Sequence, residues 1–120
     1  MEYKEDETPL FVDVALDEKG CEALEYGYEQ DEEYKQHFKR LVLTHREFDL
    51  IDAFLLTFVQ EFNVFIDRGE FSTLPNKDVP KAKVLTGTYA QQHPEAKEVC
   101  DKLIEQFDVA MECGNDVEFT

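Results

Sequence analysis

The chain has no tryptophan and a single serine, Ser72. Glycine is sparse at five residues, and cysteine is sparser still at three. Each scarcity excludes a class of chemistry. Ser72 lacks the Gly-x-Ser-x-Gly surroundings of a nucleophile elbow. The glycines form neither a Gly-x-Gly-x-x-Gly turn nor a Walker lysine loop, so a phosphate cradle is not expected. Cys21, Cys100 and Cys113 are an odd set with no short-range pair, which gives no disulfide framework and no zinc knuckle. Unpaired thiols point to a reducing, cytoplasmic setting. The acidic first eight residues lack the basic-then-apolar order of a signal peptide. Long apolar runs are missing as well. The richest stretch, Leu50 to Ile66, is interrupted by Asp52, Gln60, Glu61 and Asn63, so no membrane span and no membrane partner are expected.

Basic residues are the most telling shortage. Twelve Lys and Arg stand against 28 Asp and Glu, a net charge of −16. Such a chain repels nucleic acid directly and steers toward basic proteins, although acidity also serves solubility. The imbalance is uneven, because residues 1–33 hold 13 acidic and 2 basic residues while residues 34–71 are nearly neutral.

Metal motifs are not found. His37 and His45, eight residues apart, would lie roughly 12 Å apart along one helix, too far to share an ion unaided. No His-Glu-x-x-His occurs, and Glu33 with His37 lacks the second ligand set of a di-iron bundle. Asp13, Asp17 and Gly20 do not match the ligand positions of an EF-hand loop. The reading is therefore of a non-enzyme with no cofactor and no metal.

The hydrophobic pattern predicts a mostly helical, all-α domain. Residues 1–8 read as a flexible acidic tail and residues 9–120 as one helical domain. Leu10, Val12, Val14 and Leu16 alternate as a short strand would. Asp17 is placed to cap a short helix carrying Cys21, Leu24 and Tyr28. Asp31 is placed to cap a second, with Tyr34, Phe38, Leu41 and Val42 at helical spacing. Thr44 and Glu47 have the spacing of a capping box ahead of a central helix over residues 45–68. A single helix over residues 31–68 is the other option, at about 57 Å long for so small a domain. Gly69 is the expected C-terminal cap. Further helices are predicted from Asp78–Pro80 and from Pro94, the last ending at Gly114, with residues 116–120 as a possible strand beside residues 10–16. The sum is four or five helices around the Phe48–Ile66 segment.

One segment stands out for function. Glu22, Glu25, Tyr26, Tyr28, Glu29, Asp31, Glu32, Glu33 and Tyr34 fall within 13 residues. Carboxylates interleaved with flat aromatic faces imitate what a nucleic acid shows to its protein. Charge density limits the imitation. Duplex DNA carries one charge per roughly 1.7 Å, whereas one acidic row on a helix gives about one per 6 Å. Neighbouring rows are needed, and Glu95, Glu98, Asp101, Glu105, Asp108 and Glu112 supply a candidate. The expectation is an acidic inhibitor of a basic, nucleic-acid-binding protein, of the phage-antagonist or immunity-protein kind. The alternative is a helical adaptor or homodimer using an apolar surface, marked by Leu56 with Val64 or Phe71 with Leu74.

Overall fold

The computed structural model describes residues 8–120. The acidic-tail reading of residues 1–8 therefore lies outside the described residues except for Thr8. The fold is mixed α/β, which corrects the all-α expectation: among the described residues five α-helices accompany a four-stranded antiparallel sheet. The strands are β1 (Leu10–Ala15), β2 (Phe38–Leu43), β3 (Ser72–Leu74) and β4 (Val117–Phe119), in the order β2-β1-β4-β3. The helices are α1 (Glu18–Tyr26), α2 (His45–Leu56), α3 (Phe58–Phe62), α4 (Val79–Gln92) and α5 (Lys97–Cys113).

Strand β2 is the largest departure. Phe38, Leu41 and Val42 fit a helix, yet residues 38–43 pair with β1 from Ala15↔Phe38 to Leu10↔Leu43. Pairing wins over local spacing because it places Leu41 and Leu43 beside Val12 and Leu10 on one face, and Arg40 beside Asp13 on the other. The expected helix over residues 45–68 also breaks. Helix α2 opens on a complete Thr44–Glu47 capping box, then yields at Thr57, whose Oγ1 donates to the Phe54 carbonyl at 2.6 Å. Helix α3 ends at Asn63 in the left-handed region, φ 58°, so Asn63 rather than Gly69 is the cap. The break turns Val64 and Ile66 into the core and leaves Leu56, Val59 and Phe65 exposed.

The core lies on one sheet face. Leu10, Val12, Val14, Leu43, Leu74, Val117 and Phe119 meet apolar residues of α2, α3, α4 and α5, including Phe58, Leu103 and Phe107. Gln106, buried on α5, donates Nε2 to the carbonyls of Val12 at 2.8 Å and Lys39 at 2.9 Å, which ties α5 to two strands. Burial pushes the Cys100 thiol up to about 11, so this cysteine acts as a small apolar core residue. Among the described residues no helix is long and apolar enough to cross a membrane.

Candidate partner-binding surface

The opposite sheet face carries α1 and the residues that follow it, all inside the connection from β1 to β2. The Leu16 N–H donates to the His37 carbonyl at 2.9 Å and closes that connection. Asp17 begins α1 as its cap, with one carboxylate oxygen accepting the Gly20 N–H at 2.9 Å and the other 2.7 Å from His37 Nδ1. These contacts, the His37 bond foremost, hold the Asp17 carboxyl below its ordinary value. Gly20 is required by close approach, since a Cβ there would lie 1.9 Å from the His37 carbonyl oxygen. Helix α1 ends at Gly27, φ 79°, and the chain turns back.

That turn gathers the three tyrosines singled out in the sequence. The Tyr26 and Tyr28 ring centroids are 6.1 Å apart, and those of Tyr28 and Tyr34 are 5.1 Å apart. Tyr26 and Tyr28 are 63% and 44% exposed, so their faces are open to a partner. Lys19 Nζ lies 5.0 Å from the Tyr34 ring centre and 3.0 Å from a Glu33 oxygen, bracing the far end. The rings are tilted by 39° and 32°, wider and less parallel than stacked bases.

The carboxylates divide into groups. Glu33 pairs with Lys19, Glu32 pairs with Lys35, and Asp31 accepts the Glu33 N–H, so these three shape the turn. Glu29 is half-buried and lines a small cavity of about 280 Å³ with Lys35, Phe38 and Arg40. Glu22 is exposed and has no ion-pair partner among the described residues. Glu25 borders a larger cavity on the other flank of α1, with Cys21 and Leu24. The acidic row on α5 does not join this surface. Helix α5 covers the core face of the sheet, opposite α1, and Asp101, Glu105 and Asp108 are engaged by Lys97, Lys39 and Lys83.

Sequence reasoning missed a polar row across the α1 side of the sheet. The register places Arg40, Asp13, Glu118 and Thr73 side by side on β2, β1, β4 and β3. Asp13 is 2% exposed and is gripped by Arg40 Nε at 2.7 Å and Nη2 at 2.8 Å. The Arg40 guanidinium lies 4.5 Å from the Phe11 ring centre. Burial pushes the Asp13 carboxyl up, and the Arg40 bonds and charge offset only part of that. Thr73 Oγ1 donates to Glu118 at 2.6 Å. Burial also pushes the Glu118 carboxyl up, Thr73 pulls it back, and Asp116 and Asp13 push it further. The one legible signal was Asp13, a charge in the middle of an apolar alternation.

Glu118 and Thr73 line the larger cavity, of about 480 Å³, together with Asp116, Asn115, Phe71 and the α1 residues. Phe71 is 63% exposed at its rim, whereas Leu74 and Val64 are buried, so neither apolar pair marked in the sequence survives as a pair. The histidines are dispersed: His37 meets Asp17, His45 meets Asp49 and Arg68, and His93 stacks on Tyr89. Among the described residues, no group of three histidine, cysteine or carboxylate side chains is placed to hold a metal ion. No family model matches the chain, and no curated protein or solved structure matches it either.

Proposed function

We propose that this chain binds a basic protein through the acidic, tyrosine-lined segment from Asp17 to Tyr34, and that the face it covers on that protein is one that binds nucleic acid. It acts as an inhibitor or sequestering partner in this reading, not as an enzyme. The observation that carries it is the run of Tyr26, Tyr28 and Tyr34 rings, the first two open to solvent, set among eight acidic residues and one lysine between positions 17 and 34. Long-range charge speeds the encounter, and the tyrosines supply rigid contacts that bury area at low entropic cost. Because α5 faces away, the mimicking surface is short. It suits a local groove rather than a long duplex track.

The test is capture from the native host lysate on immobilised protein, followed by elution with salt and with added DNA or RNA. A basic nucleic-acid-binding protein, released by nucleic acid and weakened about tenfold between roughly 50 and 200 mM salt, is the expected result. Replacing Glu22 with Lys and Tyr28 with Ala should abolish capture while the domain stays folded. A salt-resistant, non-basic partner that ignores both substitutions would defeat the reading. The exposed Leu56, Val59 and Phe65 would then be the surface to examine.

A further inference from the structure

On the α1 side of the sheet, two neighbouring carboxylates of the polar row, Asp13 and Glu118, have different surroundings. Arg40 is bidentate to Asp13 and lies over Phe11, which precedes Asp13 by two residues on β1. Beside Asp13 in the same row, Glu118 presents a second half-buried carboxylate, hydrogen-bonded by Thr73. Phe71 precedes Thr73 by two residues and is exposed at the rim of the 480 Å³ cavity over Glu118. An aromatic residue thus accompanies each carboxylate, Phe11 on the strand of Asp13 and Phe71 just before β3, the strand that pairs with Glu118. Glu25 and Asp116 add two more acidic walls, and among the described residues no lysine or arginine lines the cavity.

We infer that this cavity receives an arginine side chain of a basic protein partner, with the guanidinium on the Phe71 ring and against Glu118. The inference rests on the reading that the partner is basic and adds a point of specificity to it. The occupant follows from complementarity. The charge of the cavity asks for a cation, and the exposed ring beside a carboxylate suits a planar guanidinium better than a compact ammonium. Leu24 and Ala15 give the methylene stem an apolar wall. The volume falls within the range of small-ligand cavities, roughly 300–1,000 Å³. Burial pushes the Cys21 thiol up, and Asp116, Asp17, Glu118 and Glu18 push it further.

The test uses acetyl-arginine-N-methylamide titrated into the full chain at about 150 mM salt, where distant exposed charges are screened. Amide NMR shifts are followed, with the lysine and citrulline analogues as controls. The expected result is saturable shifts centred on Cys21, Phe71, Asn115 and Glu118, with a Kd of about 1–10 mM. Lysine should bind at least about threefold more weakly. Citrulline, which keeps the shape and loses the charge, should not saturate. Glu118→Gln should weaken the arginine probe about tenfold and Phe71→Ala about threefold, each variant keeping a cooperative thermal transition. Shifts spread over the acidic surface without saturation, equal binding of citrulline, or unchanged binding by both folded variants would overturn the inference. The probe needs no partner, so its failure is separable from a failed capture experiment. Failure of the parent chain to capture a basic partner, with arginine binding intact, would instead count against the tyrosine surface.

Discussion

The two faces of the sheet are built on different principles. The face under α2, α4 and α5 is apolar from Leu10 to Phe119 and owes its order to packing, with Gln106 as a buried polar tie. The face under α1 is polar: an ion pair, a half-buried carboxylate and an acidic cavity occupy positions that a second core would have filled with aliphatic side chains. The contrast separates a face ordered by apolar packing from one ordered by charge and hydrogen bonding.

The largest break in that contrast should come from the packed face. Phe107→Ala empties a fully buried site and should cost about 3–5 kcal/mol in chemical denaturation. On the polar face, Arg40→Ala leaves the Asp13 carboxylate buried and unpaired. It should cost about 2–3 kcal/mol, less than for a wholly buried pair because the Arg40 side chain is a quarter exposed. Asp13→Leu combined with Arg40→Met should restore most of that loss, since an apolar pair of similar size needs no partner charge. If the double variant is as unstable as the single, the ion pair does more than satisfy itself. Gly20→Ala forces a Cβ onto the His37 carbonyl and should cost about 1–3 kcal/mol, read as a lower Tm.

The smallest effect has a pH signature. The Glu118 carboxyl is raised in the fold, so its protonated form suits the folded state. Its contribution is intact well below 4.5, the ordinary glutamate value, and is lost as pH rises through that value to the higher folded one. Glu118→Gln removes this loss and keeps an oxygen for Thr73 to donate to. The variant should match the parent near pH 3 and be more stable at pH 7, by under about 1 kcal/mol once solvent screening of this partly exposed group is allowed for. A stability difference that is flat with pH would mean that Glu118 is not strained by its neighbours.

Local signals were legible in the sequence where the physics is local. The Thr44–Glu47 capping box, the alternation of β1, the amphipathic α5 and its glycine cap are each encoded within a few residues and found in place. The pairing of residues 117–119 with β1 was visible as a weak possibility and is present. Strand β2 was misread because its deciding partner, Asp13, is 27 residues away from Arg40. No helical spacing reveals such a partner. Strand β3 is three residues long, too short for alternation to register. The tyrosine cluster was legible as composition. The cavity was not, because it joins α1 to Phe71, Thr73 and Glu118, which only the sheet order brings together.

The closure of the β1–β2 connection by Leu16 and His37 has a bearing on how this molecule can change over generations. Everything from residue 16 to residue 37 is an elaborated hairpin loop, entering and leaving the sheet at neighbouring points. Its length and composition can drift without shifting the strand register, since doubling a loop costs only about 0.6 kcal/mol in closure entropy. The stretch beyond the fixed points at Asp17, Gly20 and His37 can therefore vary while the sheet beneath keeps its register.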